Sequence, residues 1–435
     1  MLYLCHCNKQ LNPDYLNMMN KEVNLPFKTE PKFFYGYIVV IAAFFIMVVS
    51  WAAYNSFGVF FNPLLKEFEW DRAVLSGAFS LSMFLYGVLG IVVGVLNDKF
   101  GPRMVLTFCG LLLGLGYILM SQVNTLWQLY LFLGVIIGVA MSGVWVPQLS
   151  TIARWFVKRR TLMTGIVTSG VGIGNLVGPP VIVRLIVAHN WSPSYIMIGI
   201  TVLLTVILAA QFLRHDQTQI TQPVLDENGG KQNNLKLETA RFSLKEAIYT
   251  SQFWVAFGIL FCFGFGNFAI MVHIIPHAIE LEISDVDAAN ILVVRGAASI
   301  LGCYILGAFA DRVGNRQVFI IGFIVMSGVL FCLMLAGELW MLYLLIAAYG
   351  FAAGGMGASE SPLAAWLFGL SAHGLIYGVV HVGFTVGAAA GPFVTGYIFD
   401  LTGDYQLAFA ICATIGVVGL ILTIILRPTK KPDTE

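Results

Sequence analysis

Charged side chains are scarce in this chain. Of its 435 residues only 11% are Asp, Glu, Lys or Arg, while 58% are hydrophobic and the mean hydropathy is +0.83. A water-exposed globular domain carries about 25% charged residues, so lipid must be the main solvent of this protein. The formal net charge of +1 and the lack of a basic block give no sign of a nucleic-acid partner.

Motifs for metal, cofactor and enzyme chemistry are also missing. The seven cysteines are scattered, and Cys5-His6-Cys7 lacks the second ligand pair that a zinc site needs. No paired acids, metal-ligand spacing or nucleophile motif lies at one membrane face, and no nucleotide-binding motif is present. We therefore expect no enzyme activity, no metal and no cofactor, and we expect the thiols to be reduced.

Twelve apolar segments, separated by polar breaks, predict an all-α integral membrane protein with twelve spans. One long polar break, 214–248, separates an N-terminal half (35–213) from a C-terminal half (249–426), with tails at 1–34 and 427–435. The predicted spans are 36–60, 73–96, 104–122, 126–153, 161–187, 194–213, 249–274, 287–308, 317–336, 340–368, 374–398 and 405–426.

The distribution of Lys and Arg predicts the orientation of the spans. With the N-terminus in the cytoplasm, twenty of the 24 cationic residues fall in cytoplasmic segments, and Lys66, Arg72 and Arg184 fall on the other side. Cytoplasmic loops of membrane proteins carry such an excess of positive charge. Both termini and the 214–248 loop are therefore expected in the cytoplasm. The remaining cation, Arg295, lies within a predicted span.

Two sequence matches indicate an internal repeat. "GVLNDKFGPR" (94–103) recurs as "GAFADRVGNR" (307–316), and "GNLVGPP" (174–180) recurs as "GAAAGPF" (387–393). Both matches have the same offset in sequence, which we call the repeat offset. Six spans per repeat return the second copy to the same orientation, so the halves are parallel repeats. A transporter built in this way binds its substrate between the halves, near the bilayer midplane. The glycines of the second match predict close helix crossings.

The first repeated segment resembles the signature loop between helices 2 and 3 of the major facilitator superfamily. Glycine permits a tight reversal, and an aspartate can face the positive N-terminus of a neighbouring helix while arginines offer it donors. The resemblance implies a latch that closes the cytoplasmic side, with simple anchoring of the helices as the alternative. The residues of this gate motif are Gly94, Asp98, Lys99, Gly101 and Arg103, and in the second copy Gly307, Asp311, Arg312, Gly314 and Arg316.

Within that superfamily the chain is similar to the monocarboxylate and oxalate–formate carriers over residues 33–426. The segments that carry the similarity are "FFYGYIVVIAAFF" (33–45), "FGVFFNPLLKEF" (57–68), "RWFVKRRTLMTGI" (154–166) and "GPFVTGYIFD" (391–400). The resemblance implies a secondary active transporter of a small organic anion that works by alternating access in the plasma or inner membrane. We expect symport with H⁺ before exchange or uniport, and a monomer as the transporting unit.

Three other functions stay open as alternatives. A dicarboxylate–formate type exchanger is the nearest. A drug–proton antiporter would carry an arginine four residues before Gly138, where this chain has Gly134. A non-transporting sensor would need a sizeable soluble signalling domain, and the longest polar stretch between spans is 214–248.

The arginine within a span is the main candidate for substrate binding. In "ILVVRGAASIL" (291–301), Arg295 has no charged residue within six positions. Burying an unpaired arginine in a membrane costs at least ~2.5–3.5 kcal/mol on insertion scales, so a partner is expected. The resemblance implies that Arg295, at the place of the branch's helix-8 arginine, binds the substrate carboxylate. A structural ion pair with Glu360 or Asp287 is the alternative.

Departures from the branch pattern narrow the range of substrates that we expect. The branch has an aspartate where this chain has Ile291, a lysine at the place of Asn55, and in its oxalate carriers a second cation near Phe384. A single fixed cation favours a monoanion over a dianion. The missing aspartate also leaves the proton without the acceptor that the family would supply.

Other polar and aromatic residues at membrane depth complete the predicted site. Glu360, within "GGMGASESPLAAW" (354–366), is a candidate for exchanging a proton during transport. His381, at similar depth, is a second candidate and a hydrogen-bond partner for Glu360. For both residues a purely structural role is the alternative. The residues predicted to contact the substrate are Arg295, Asn55, Tyr54, Trp145, Asn267 and His381.

Overall fold

The structure is a computed structural model of the full chain, and it describes residues 34–70, 72–157, 159–214 and 242–428. The chain divides into Met1–Tyr35, of which Phe34 and Tyr35 are described, and Gly36–Glu435, which contains every helix given below. Nearly all of the predicted N-terminal tail, most of the central loop and most of the C-terminal tail lie outside the described residues. The predicted cytoplasmic location of these segments therefore stays a prediction.

Twelve helices in the described residues are long and apolar enough to cross a membrane, which confirms the predicted number of spans. They are α1 (Gly36–Asn55), α2 (Arg72–Phe100), α3 (Pro102–Met120), α4 (Leu126–Trp155), α5 (Arg160–His189), α6 (Trp191–Ala210), α7 (Ser251–Glu280), α8 (Asp285–Val313), α9 (Asn315–Leu333), α10 (Leu339–Phe368), α11 (His373–Thr402) and α12 (Gln406–Ile425).

Some helices extend beyond the apolar runs that predict them. The sequence predicts that span 7 ends near residue 274, but α7 continues to Glu280. Similarly, α8 continues past 308 to Val313. In both cases polar residues in the last turns end the apolar run but not the backbone hydrogen bonding. The predicted spans thus locate the lipid-facing part of each helix better than its ends.

Three further elements accompany the spans. Phe57–Phe68 continues beyond α1 as a separate helix, and Leu244–Ile248 forms a short helix inside the predicted central loop. Ser243 begins that short helix with a capping box, in which its side chain and that of Glu246 bond each other's backbone N–H groups. Within α4, Tyr130–Ile137 is a π-helical segment.

Small residues set the distance between the main helices of each half. A Cβ added to Gly174 of α5 would lie 2.5 Å from the carbonyl oxygen of Val48 on α1. The glycine related to it by the repeat offset, Gly387 of α11, lies against the carbonyl oxygen of Phe261 on α7, which is itself the equivalent of Val48. Both halves therefore use the same crossing, as expected of two parallel repeats.

The halves meet along α5 and α8 and along α2 and α11. Gly165 of α5 lies against the Cys303 carbonyl of α8, and a Cβ on Gly94 of α2 would lie 2.5 Å from the Gly374 carbonyl of α11. These contacts lie toward the end of the bundle that carries the loops 94–103 and 307–316, which we call the motif end. At the motif end the halves are closed against each other.

We expect Gly174→Ala to destabilise the N-terminal half, because α1 and α5 must move apart to admit the new methyl group. Overpacking of this kind costs ~1–3 kcal/mol, so the thermal unfolding midpoint in detergent should fall. Gly328→Ala on α9 is the control, because nothing lies within 4 Å of an added Cβ there. If both variants unfold at the same temperature, this crossing tolerates a wider spacing.

Candidate functional site

Each copy of the gate motif places its aspartate at the N-terminus of a helix from the other half. Asp98 lies near the end of α2 and faces the start of α11, while Asp311 near the end of α8 faces the start of α5. The first N–H groups of a helix have no partner within it and attract negative charge. Four of them donate to these carboxylates: Gly374 (3.3 Å) and Leu375 (3.0 Å) to Asp98, and Thr161 (2.8 Å) and Leu162 (2.9 Å) to Asp311.

The motif arginines have a different partner from the one expected. The nearest acceptor of Arg103 Nε is the Gln211 side chain (2.7 Å), and that of Arg316 Nε is the Thr423 carbonyl (3.0 Å). Arg103 thereby joins the start of α3 to the end of α6, and Arg316 joins the start of α9 to the end of α12. Within the described part of the chain, Arg154 at the end of α4 is the residue that forms an ion pair with Asp98.

The remaining motif residues divide into structural glycines and exposed cations. Gly101 and Gly314 have φ angles of 82° and 101°, a left-handed conformation that favours glycine and permits the reversal into α3 and α9. Gly94 permits the contact of α2 with α11, and a Cβ on Gly307 would lie 3.2 Å from the Thr161 carbonyl of α5. The other two motif residues, Lys99 and Arg312, have exposed side chains.

A buried carboxyl group lies at the contact of α10 with α11. Glu360 is 2% exposed; its Oε2 accepts a hydrogen bond from Tyr377 Oη (3.1 Å) and lies 3.0 Å from His381 Nδ1. The structure thus brings together the two residues that we predict from the sequence as candidate proton carriers. Tyr377 was not predicted, although it lies one helical turn before His381 on the same face of α11.

The hydrogen bonds around Glu360 extend into the other half of the protein. Trp145 Nε1 on α4, which can only donate, donates to Tyr377 Oη at 3.0 Å. The single hydroxyl hydrogen of Tyr377 is then available to Glu360, whose Oε2 also lies 3.0 Å from His381 Nδ1. An ionised Glu360 accepts from both groups when His381 carries a proton on Nδ1. The Trp145 ring also stacks on His381, with centroids 5.8 Å apart.

Aromatic rings surround this network on the side of the N-terminal half. Trp51 on α1 contacts Trp145, Tyr86 and Tyr54, each with centroids 5.9 Å apart. Tyr54 is 1% exposed, and its hydroxyl bonds Ser82 of α2 at 3.1 Å. The predicted substrate contact Tyr54 therefore packs in the wall of its half, whereas Trp145 lies between the two halves.

Arg295 on α8 reaches across to α7, where it donates to the Asn267 side-chain oxygen. Arg295 forms no ion pair with Glu360, with Asp287 or with any other described residue, and its Nε has no hydrogen-bond partner among them. Asp287 instead contacts Ser284, the residue that caps α8. A half-buried guanidinium with a neutral partner keeps its positive charge available to an anion.

The repeat shows which part of this contact is common to both halves and which part is specific to the C-terminal half. The repeat offset relates Tyr54 and Ser82 to Asn267 and Arg295, so one hydrogen bond joins the first two helices of each half. In the N-terminal half both partners are neutral, and in the C-terminal half one is a cation. The position therefore belongs to the common scaffold, and the charge is specific to α8.

Several polar side chains are partly exposed, three within the spans and one, Asn55, at the end of α1. Arg295, Asn267, Asn55 and Asn175 are each half-buried, and Asn55 Nδ2 donates to Asn175 Oδ1 at 2.7 Å between α1 and α5. Polar groups of this kind in a span face a cavity or the bundle interior rather than lipid. Asn175 was not predicted, although it lies beside Gly174 in the segment that packs on α1.

The polar groups form two layers along the bundle. Arg295 lies roughly five helical turns before Val313, where α8 ends, and Glu360 lies roughly two turns before Phe368, where α10 ends. At ~1.5 Å per residue, Arg295 is about 27 Å and Glu360 about 12 Å from the motif end. The two groups are therefore separated by roughly 15 Å along the axis, too far for direct pairing.

We expect Asp98→Asn to favour opening of the motif end, since the amide loses the charge that attracts Arg154 and the α11 N-terminus. The loss of ~1–2 kcal/mol shifts a two-state equilibrium roughly 5- to 30-fold. Spin labels at the exposed positions Phe100 and Val313 should report a longer distance by pulsed EPR. Asp404→Asn is the control, and identical distance distributions in both variants would contradict a latch.

Comparison with known proteins extends the sequence similarity over nearly the whole chain. The family model of the Major Facilitator Superfamily matches residues 43–305 and 256–435. Monocarboxylate transporter 13 of Bos taurus is 27% identical over 411 residues, which are 92% of this chain and 92% of that protein. Monocarboxylate transporter 7 of Homo sapiens is 24% identical, with 91% and 87% covered.

A solved structure supports the fold independently. A crystal structure of the fucose:proton symporter FucP of E. coli matches with a TM-score of 0.68 over 91% of this chain and 100% of that chain. The sequences are only 16% identical, so this match concerns the arrangement of the helices alone.

Proposed function

The chain belongs to the major facilitator superfamily, and we propose that it carries a small monocarboxylate together with a proton by alternating access. The family match confirms the resemblance that the gate motif carries. Its relatives are transporters rather than enzymes, and those named above are monocarboxylate transporters, so an organic anion is the supported class of substrate. The proton, the single carboxylate and the plasma or inner membrane as its location belong to the proposal.

The carboxylate binds at Arg295. This assignment rests on one observation: the guanidinium is half-buried at mid-span, its described partner is the neutral Asn267, and no described carboxylate pairs with it. Arginine matches a carboxylate through two parallel N–H donors and stays protonated throughout a transport cycle. Arg295 Nε has no hydrogen-bond partner among the described residues, and the half-buried amide of Asn267 is a further donor for one carboxylate group.

The proton binds at Glu360 and His381. These two groups share one hydrogen bond in a buried site, and one added proton cancels the charge of the carboxylate. Trp145 links the pair to the N-terminal half, so movement of the halves changes its surroundings. Because Arg295 lies roughly 15 Å away, the substrate and the proton communicate through this movement rather than by direct contact.

We expect Arg295→Lys to fold normally and to lose carboxylate affinity by about tenfold or more, because an ammonium group cannot provide two parallel donors. The ligand is chosen from formate, acetate, lactate, pyruvate, benzoate and oxalate as the one that most raises the unfolding midpoint of the purified protein. That ligand, the probe carboxylate, is then titrated against the variant. Arg184→Lys, at an exposed position of α5, is the control. Equal affinity in all three proteins would place the binding site elsewhere.

We expect external acid to stimulate uptake of the labelled probe carboxylate into proteoliposomes without internal substrate. Glu360→Gln should remove this stimulation while sparing counterflow, since the amide binds no proton and exchange of substrate moves none. Uptake that requires a preloaded anion and ignores pH would instead support the anion exchanger. Acid-stimulated uptake that is unchanged in Glu360→Gln would place the proton elsewhere, and no flux of any carboxylate would contradict both functions.

A further inference from the structure

A histidine with no part in the proposed binding steps lies between Glu360 and the motif end. His373 is the first residue of α11 and is 1% exposed. Its Nε2 lies 3.0 Å from Ser361 Oγ, and Ser361 directly follows Glu360 in α10. Two helical turns separate His373 from His381, or about 12 Å along the helix.

The hydrogen bonds of His373 leave one of its nitrogens without a partner. Ser361 has a single hydroxyl hydrogen, which it donates to the Leu149 carbonyl of α4 at 3.2 Å. In the neutral ring Nε2 therefore carries the proton and donates to Ser361, which leaves Nδ1 as an acceptor. This buried Nδ1 has no hydrogen-bond partner in the described residues. A buried acceptor without a partner lowers the stability of the fold by ~1–3 kcal/mol. An imidazole kept at this cost points to a functional role for His373.

Three side chains that can carry a proton follow one face of α11. His373, Tyr377 and His381 are spaced by four residues, the spacing that aligns side chains on a helix. The His373 and Tyr377 rings stack with centroids 5.8 Å apart, and the Tyr377 and His381 centroids are 5.6 Å apart. The Nε2 of His381 is also buried without a described partner. The row begins at the Glu360 site and ends at the motif end.

The latch covers the end of this row. The two N–H groups bound by Asp98 belong to the residues that directly follow His373, and a Cβ on Gly374 would lie 2.5 Å from Asp98 Oδ1. Among the described residues, the cations that act on His373 are Arg154 of α4 and Arg160 of α5, and Asp98 of α2 is the carboxylate bonded to the two residues that follow it. Separation of the halves at this end would remove Asp98 from α11 and give water access to His373.

We propose that His373 is the exit through which the transported proton reaches the solution at the motif end, and that the Asp98 latch controls when it does so. The proposal rests on the proton coupling proposed above. The proton leaves the carboxyl group of Glu360, passes along Tyr377 with the help of entering water, adds to the Nδ1 lone pair of His373 and is released to water. Glu360 is left as a carboxylate, and no electrons move. A reversed proton gradient drives the same steps backward.

The test compares net uptake with counterflow in proteoliposomes that contain the full chain and the probe carboxylate. His373→Gln keeps an amide that can donate to Ser361 but cannot take up and release a proton. We expect net acid-driven uptake to fall about tenfold or more and to lose its pH dependence, as for removal of a general acid–base group. Counterflow, which moves no net proton, should stay unchanged. Added imidazole should restore net uptake in His373→Ala and not in Glu360→Gln.

His277→Gln is the matched control, because His277 is also a buried histidine (9% exposed) but lies on α7, outside this row. Normal net uptake by His373→Gln, while Glu360→Gln is defective, would overturn the exit and leave the proposed function intact. Equal loss of net uptake and counterflow would assign His373 a structural role and also overturn it. Absence of acid-driven uptake in the unaltered protein would overturn the coupling together with the exit.

Ser361→Ala provides a second test if His373→Gln does not fold. It removes the hydroxyl that orients the imidazole and leaves the ring in place. We expect slower net uptake that added imidazole raises, with unchanged counterflow. Net uptake equal to that of the unaltered protein would overturn the proposal.

Discussion

Closure of the motif end depends on two carboxylates that each bind the free N–H groups of a helix from the opposite half. Asp98 and Asp311 satisfy backbone donors that could not find water inside a closed bundle. The same donors can bind water as soon as the halves separate, so the contact is reversible at little cost in hydrogen bonding. Glycines at the crossings bring the backbones close enough for these bonds to form.

The two halves share a scaffold, and the residues with candidate functions are departures from their symmetry. The gate aspartates, the reversal glycines and the glycine crossings all recur at the repeat offset. At the same offset, the counterparts of Arg295, Glu360, Tyr377 and His381 are the uncharged Ser82, Pro147, Thr164 and Thr168. The counterpart of His373 is Arg160, which cannot release its proton. The N-terminal half therefore contributes aromatic and amide side chains to the candidate site, and the C-terminal half contributes its ionisable side chains.

The spans, the repeat and the charged members of the site could be predicted because a chain that crosses lipid needs long apolar runs. Polar breaks and charged residues are easily recognised against such runs. An arginine or glutamate within an apolar run stands out, and twelve such runs leave few architectures. Tyr377 and Asn175 could not be found in this way, because neutral residues in long helices gain a role only from the helices that cross them. Arg154 was missed for a related reason: the sequence assigned Asp98 an arginine from its own loop, while the actual partner lies far along the chain at the end of α4. Helix ends such as Glu280 were missed because apolar runs report contact with lipid, not backbone hydrogen bonding.

The proposed site, with one fixed cation for the substrate and one carboxyl group for the proton, has an energetic consequence. A monoanion and a proton that cross together move no net charge, so a membrane potential, worth ~2.3 kcal/mol per elementary charge at about 100 mV, would neither drive nor oppose the cycle. Only the concentration and pH gradients would then act, and each pH unit, worth about 1.36 kcal/mol, would support a tenfold accumulation of the anion. The Arg295 and Glu360 layers would thus make the transport cycle electroneutral, and the pH gradient would limit how far the cell can concentrate the anion.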